Sequence, residues 1–153
     1  MIRKADLRDP EAIRDLVNDF AARGLMLPRA LNEIYENLRD FFVCEEDGQV
    51  VGCVALHVSW QGLGEIRSLA VVDHVQGRGV GKSLVGAALE EAREMGMNRV
   101  FALTYAPGFF RPLGFLDYPK EELPHKIWTD CLKCPKFPNC DEVAVVIDLA
   151  EST

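Results

Sequence analysis

The segment Leu69–Leu84, LAVVDHVQGRGVGKSL, constrains this chain more than any other part of it. A valine-rich run leads into a loop with glycines at 77, 79 and 81, and a long helical pattern follows at once. Glycine lets the backbone enter left-handed conformations and approach a ligand closely. A helix that starts there points its unbonded N–H groups and the positive end of its dipole at the same spot. That combination is an anion site, best suited to phosphate.

Three phosphate-binding patterns compete for the segment. The dinucleotide fingerprint G-x-G-x-x-G fails, because Lys82 stands where its third glycine belongs. The P-loop pattern G-x-x-x-x-G-K-[ST] finds its end in Gly81-Lys82-Ser83, but its first glycine falls on Gln76 and Gly77 is one residue too near. The pattern Q/R-x-x-G-x-G/A is met in full by Gln76, Gly79 and Gly81. The expected ligand contacts are therefore Gln76, Gly77, Arg78, Gly79, Val80, Gly81, Lys82 and Ser83, with Arg78 and Lys82 supplying cations. The plainer alternative is a glycine-rich turn that only caps a helix.

At 153 residues the chain reads as one domain with one core, spanning residues 1–153. Its net charge of −7 argues against nucleic acid as a partner. No apolar run is long enough for a bilayer, and the start Met1-Ile2-Arg3-Lys4-Ala5-Asp6 lacks the apolar core of a signal peptide. A cytoplasmic protein without membrane contact is the expectation, with monomer or homodimer left open. The five cysteines read as reduced thiols, Cys44 and Cys53 in strand patterns. Cys131, Cys134 and Cys140, with His125 nearby, have the donors for a zinc site, but the last pair is widely spaced. A proline-rich loop without metal is the preferred reading.

Ile2–Ala5 reads as a strand, and Asp9-Pro10 as an N-cap with proline at the first helical position. Ile13, Leu16, Val17 and Phe20 keep helical spacing up to Gly24, and Leu31, Ile34, Tyr35 and Leu38 share one face of a second helix. Phe41–Glu45 and Val50–Val58 form strands around the hairpin signal Asp47-Gly48, followed by a loop from Trp60 to Gly64. A strand over Glu65–Val72 enters the glycine loop, and the next helix runs to Met95 with Leu84, Val85, Ala88, Leu89 and Ala92 inward. A strand at Arg99–Tyr105, a short helix at Gly108–Leu113 and a closing strand at Val143–Leu149 complete the order. This β-α-α-β-β-β-α-β-α-β sequence predicts an α/β (α+β) protein, with one mixed sheet and helices on both faces.

With that order, the Gln76–Gly81 loop resembles the pyrophosphate loop of the GNAT acyltransferases, over about residues 2–149. The resemblance implies acetyl-CoA as co-substrate. It implies that the backbone of Leu69, Ala70 and Val71 hydrogen-bonds the pantetheine arm. Phe109-Phe110-Arg111-Pro112-Leu113-Gly114-Phe115 is similar to the short helix and L-G-F turn beside the thioester. The family usually has a tyrosine, which protonates the departing sulfur, where this chain has Phe110. Tyr105 is the candidate substitute, against a purely structural tyrosine at the end of its strand. Glu65 matches the strand glutamate that takes the amine proton in many members, against a solvent-exposed strand end.

Further matches narrow the resemblance. Leu27-Pro28-Arg29, the run Tyr35–Val43, Glu65-Ile66-Arg67-Ser68 and the tail from Leu123 to Glu142 resemble the amino-acid acetyltransferases that make N-acetylglutamate for arginine biosynthesis, in their single-domain branch. The acceptor implied is L-glutamate, whose carboxylates call for fork-shaped cation donors. Arg29, Arg67 and Arg111 are the candidates, each with a surface salt bridge as its plain alternative. Two rivals stay open: a small nucleotide hydrolase, with Ala144–Asp148 imitating a Walker B strand, and a non-catalytic acyl-CoA sensor.

Overall fold

The computed structural model describes residues 1–123 and 142–149. Seven strands form one sheet: β1 (Ile2–Lys4), β2 (Phe41–Glu46), β3 (Gln49–Trp60), β4 (Leu63–Val71), β5 (Arg99–Thr104), β6 (Leu116–Tyr118) and β7 (Val143–Asp148). Their order across the sheet is β1-β2-β3-β4-β5-β7-β6. Neighbours are antiparallel except β4 and β5, which run parallel. The helices are α1 (Pro10–Ala22), α2 (Leu31–Glu36), α3 (Val80–Glu94) and the one-turn α4 (Pro107–Phe110).

Both faces of the sheet are covered, as the alternation in β2 requires. Phe41 and Val43 pack with Ile13, Val17 and Phe20 of α1. Phe42 and Cys44 point the other way and join Leu84, Val85 and Ala88 of α3. All five inward positions expected for α3 are buried. The sheet is mixed and lies between helices, as the sequence pattern requires.

Four local expectations need correction. Asp9 precedes α1 but its side chain makes no capping bond. It instead accepts from Arg3 Nη1 and Nη2 at 2.8 and 2.9 Å and from the Asp6 amide at 2.7 Å. Tyr35 does not share a buried face with Ile34, because α2 has only six residues and Tyr35 is exposed. The stretch Trp60–Gly64 is not a loop: β3 and β4 run on to the pair Trp60↔Leu63, leaving Gln61-Gly62 as a two-residue turn. Gly64 lies within β4, paired with Val58 and Val100, at a point where a Cβ would come within 2.5 Å of Met97 Sδ. Finally, β6 is a seventh strand. Its three residues, between Gly114 in a left-handed conformation and Pro119, are too short to show a period-two pattern.

Candidate active site

The sheet opens between β4 and β5. Their ladder runs Leu63↔Arg99, Gly64↔Val100, Glu65↔Phe101 and stops there, although both strands continue. The cause lies on the other edge of β4. The β3–β4 register steps from Ala55↔Arg67 to Cys53↔Ala70, so one residue of β3, Val54, faces two of β4, Ser68 and Leu69. The extra residue is absorbed at Ser68, whose φ of 54° is left-handed, and its carbonyl accepts from Cys53 Sγ at 3.3 Å. Such a bulge bends its strand and flips the faces beyond it. Accordingly Ile66 packs in the α3 core while Ala70, four residues on, packs in the α1 core. Burial pushes the Cys53 thiol up to about 12, so this sulfur holds the bulge and stays a thiol.

The wedge between the splayed strands is a cleft of about 1520 Å³ among the described residues. The segments 65–71 of β4 and 102–106 at the end of β5 form its walls, and Gln76, Gly77, Gly79, Val80 and Gly81 form one end. Arg29, His57, Glu65 and Arg67 lie at the cleft too, with Arg29, His57 and Arg67 also lining a side pocket of about 30 Å³.

The glycine end is built from backbone. Gly77 and Gly79 have φ of 87° and 80°, conformations that side chains resist. Gly79 is the N-cap of α3, and its carbonyl accepts from the Ser83 amide at 2.9 Å. The amides of Val80, Gly81 and Lys82, in the first turn, have no acceptor within the helix. Gln76 ties the loop to the strand, donating from Nε2 to Val71 O at 2.9 Å and to Asp73 Oδ1 at 3.3 Å. A Cβ on Gly81 would stand 3.2 Å from the Phe109 ring, so that ring and the loop meet closely only over glycine. Arg78, Lys82 and Ser83 are exposed and do not line the cleft; Arg78 lies 4.0 Å from Glu46.

The other end carries ionisable groups. Glu65 is 8% exposed rather than a solvated strand end. Its Oε1 accepts from Arg67 Nε at 2.6 Å. Burial raises its pKa above the ordinary glutamate value, outweighing the lowering by the Arg67 guanidinium. Arg29 is placed by its amide, which donates to Asn18 Oδ1 at 3.0 Å, and its guanidinium lies 3.6 Å from Glu33. Tyr105, half-buried, follows β5 directly and lines the cleft. Phe110 is buried at the wall, edge-on to Phe109 and Phe115 with centroids 5.1 Å apart in both pairs. Arg111 is not brought to the cleft: it pairs with Asp117 at 2.8 Å on the surface.

Nothing in the sequence joins His57 to Asp40, whose Oδ2 lies 2.7 Å from His57 Nδ1. Seventeen residues separate them, and only the pairing of β3 with its neighbours brings them together. Among the described residues no three His, Cys, Asp or Glu side chains gather as a metal site. His125, Cys131, Cys134 and Cys140 lie outside the described residues. Asp148, at the end of the Walker-like strand, is exposed and paired with Arg99 at 2.6 Å. No described helix is long and apolar enough to cross a membrane.

The pattern of the acetyltransferase (GNAT) family matches residues 10–115, from α1 through the glycine loop to Phe115. The chain belongs to this family. It is therefore an acyltransferase with acetyl-CoA as co-substrate. An uncharacterized N-acetyltransferase of Chlorobaculum tepidum is 44% identical over 145 residues, 95% of this chain and 94% of its own length. An amino-acid acetyltransferase of Mycobacterium tuberculosis is 40% identical over 120 residues, 76% of this chain and 68% of that protein. Among solved structures, an N-acetylglutamate synthase of Neisseria gonorrhoeae, complexed with coenzyme A and N-acetyl-glutamate, superposes with a TM-score of 0.90 at 28% identity. That match covers 99% of this chain and only 35% of the synthase. The match to this family removes the nucleotide-hydrolase reading, consistent with the shortened loop and the surface position of Asp148.

Proposed function

We propose that this acetyltransferase acetylates the α-amine of a small amino acid, with L-glutamate as the acceptor. The observation that carries the reading is the placement of Glu65: a buried carboxylate at the very pair where β4 and β5 part, with Arg67 on it and Arg29 at the same end of the cleft. The amino-acid acetyltransferases among the relatives, and the neighbour structure that holds N-acetyl-glutamate, support it.

The described residues suit acetyl-CoA. The Val80, Gly81 and Lys82 amides with the helix dipole suit a pyrophosphate. The edge of β4 at Leu69, Ala70 and Val71, left without a β5 partner, offers backbone groups to an extended pantetheine arm. Gly81 is the place where a side chain would fill the cradle against Phe109. When bound, acetyl-CoA supplies an acetyl thioester, open to attack and with a thiol as leaving group.

The chain's own residues do the remaining work. Arg29 and Arg67 hold the acceptor's carboxylates by forked hydrogen bonds. Glu65 takes a proton from the ammonium, and its raised pKa suits it to that transfer near neutral pH. Amides of the β4 edge stabilise charge on the carbonyl oxygen. Tyr105 is the proposed donor to the sulfur, in place of the position held by Phe110.

Thiol release, measured with acetyl-CoA and glutamate, glutamine, aspartate or a polyamine, tests the reading. Glutamate is expected to be preferred. A preference for the polyamine would overturn the acceptor. Intact acetyl-CoA binding with no turnover on any amine would make the chain an acyl-CoA sensor.

A further inference from the structure

Beside Glu65 stands a second acid–base pair that the transfer as described does not use. His57 lies on β3 directly opposite Glu65 in the β3–β4 ladder. Directly opposed residues of an antiparallel pair share a face of the sheet, with Cβ atoms about 4.5–5.5 Å apart. His57 Nδ1 lies 2.7 Å from Asp40 Oδ2, and Asp40 ends the short helical turn Leu38–Asp40 that leads into β2. A carboxylate only accepts, so Nδ1 carries a proton, and in the neutral imidazole Nε2 is then the nitrogen with the lone pair. His57 lines both the cleft and the side pocket, so Nε2 is the polar atom the ring has left to offer there.

The charged groups around the imidazole are Glu65 and Arg67 on β4, Asp40 ahead of β2, and Arg29 and Glu33 across the side pocket. Arg29 and Arg67 are donors only. Arg67 already holds Glu65 Oε1. An incoming ammonium carries three N–H groups and no other polar function, so it needs acceptors. At this point of the sheet Glu65 supplies one, and the imidazole opposite it is built to supply a second.

We propose that His57 Nε2, made an acceptor by Asp40, takes a hydrogen bond from the acceptor's amine and, together with Glu65, aims the nitrogen at the thioester. This rests on the proposed amino-acid acetylation. One proton of the ammonium passes to Glu65: that N–H bond breaks and an O–H bond forms. A second N–H stays on nitrogen through the attack, and it is the one His57 holds. As the C–N bond forms and the C–S bond breaks, the sulfur takes the Tyr105 proton and departs as thiol, and the third proton passes from nitrogen to replace it on Tyr105. With one N–H held by His57, the nitrogen turns about that bond and brings the lone pair freed by the transfer to Glu65 onto the thioester carbon, which is the geometric part of catalysis. His57 is thereby a catalytic residue that orients, and Asp40 a positioning residue that sets its tautomer.

Steady-state kinetics of four full-chain proteins test this: wild type, His57→Ala, His57→Gln and Asp40→Asn, each checked for folding by thermal melting. His57→Ala is expected to lower kcat/KM for the amino acid roughly tenfold to a hundredfold, as for a lost hydrogen bond to a charged group. Its KM for acetyl-CoA stays within about twofold, a change below half a kilocalorie. Imidazole added to His57→Ala restores part of the rate, and His57→Gln, which keeps an acceptor oxygen, recovers most of it. Asp40→Asn falls in the same direction, since its amide nitrogen is able to donate to Nδ1 and turn Nε2 into a donor, and by less, since its amide oxygen still accepts from Nδ1–H. A folded His57→Ala with wild-type kcat/KM overturns the proposal. So does a loss that is equal in His57→Gln and untouched by imidazole, which marks packing alone. Should His57→Ala not fold, the other two variants decide by the same signs. Full turnover in Glu65→Gln, or none by wild type on any amino acid, overturns the proposed function itself. Turnover lost in Glu65→Gln and kept in His57→Ala overturns only the role of His57.

Discussion

Asp9 and Glu65 are the two buried carboxylates among the described residues, each with an arginine on it, and their pKa values move in opposite directions. Asp9 is 2% exposed and accepts three hydrogen bonds, two from the Arg3 fork and one from the Asp6 amide. Burial alone would raise it, but these bonds together hold it below the ordinary aspartate value. Glu65 accepts a single bond, from one nitrogen of Arg67, and there burial wins. The difference teaches that burial does not decide what a carboxylate is for; the completeness of its hydrogen bonding does. A saturated carboxylate joins β1 to the start of α1. An undersaturated one, at the mouth of a cleft, is left able to take a proton.

The first break in the comparison is by neutral substitution of each. Glu65→Gln is expected to lower turnover by about a hundredfold or more. Its urea midpoint at neutral pH should not fall, because the variant removes a charge whose burial is unfavourable. Asp9→Asn should do the reverse. It costs about 3 kcal/mol, the low end for breaking a buried pair since Arg3 keeps some solvent contact, and leaves turnover per folded molecule nearly unchanged. Denaturation curves and kinetics on the same samples check both. A Glu65→Gln protein that is both active and destabilised would erase the contrast.

Next in size is the acceptor end of the cleft. Arg29→Ala is expected to raise the KM for glutamate roughly tenfold to a hundredfold and to spare that for acetyl-CoA. Equal effects on both substrates would mean that Arg29 only holds the loop ahead of α2.

How much of this contrast can be read from sequence depends on how far apart its parts lie along the chain. The glycine loop and the inward face of α3 were legible because a helix and its N-terminus are local, and a dozen residues carry the whole signal. Glu65 and Arg67 were legible as a pair because alternate residues of a strand share a face. The Ser68 bulge that opens the cleft was not, because it is a mismatch between two strands and neither one records it. Asp40 and His57 were hidden for the same reason. Asp9 misled in another way: Asp-Pro before a helical run reads as a cap, and only the fold shows Arg3 outbidding the helix amides for the carboxylate. Arg111 had a nearby partner, Asp117, but the strand that presents Asp117 was itself too short to be seen.

Acid sharpens the comparison further. The lowered Asp9 pKa contributes stability that is present above the ordinary aspartate value and is lost as pH falls through the lowered one. The raised Glu65 pKa works with the opposite sign: the folded state binds the proton more tightly, so its ionisation costs stability as pH rises through the raised value. The gap between wild type and Asp9→Asn should therefore narrow on acidification. Glu65→Gln should gain on wild type as pH rises from the ordinary glutamate value through the raised one, as urea midpoints across that range would show. Gaps that do not vary with pH would contradict both assignments. The smallest effect is expected from Arg3→Lys, which keeps the charge beside Asp9 but loses the fork, at about 1 kcal/mol of stability and with no change in turnover.

The central claim is that the buried, undersaturated Glu65 is the group that accepts the amine proton. The pH dependence of kcat/KM for the amino acid, in wild type and in Glu65→Gln, tests it most directly. The account predicts an acid limb in wild type that lies above the ordinary glutamate range, in keeping with the raised pKa. In Glu65→Gln that limb should vanish, leaving a rate about a hundredfold lower that climbs only with the acceptor's own deprotonation. A variant that keeps both the wild-type rate and the wild-type acid limb would contradict the account.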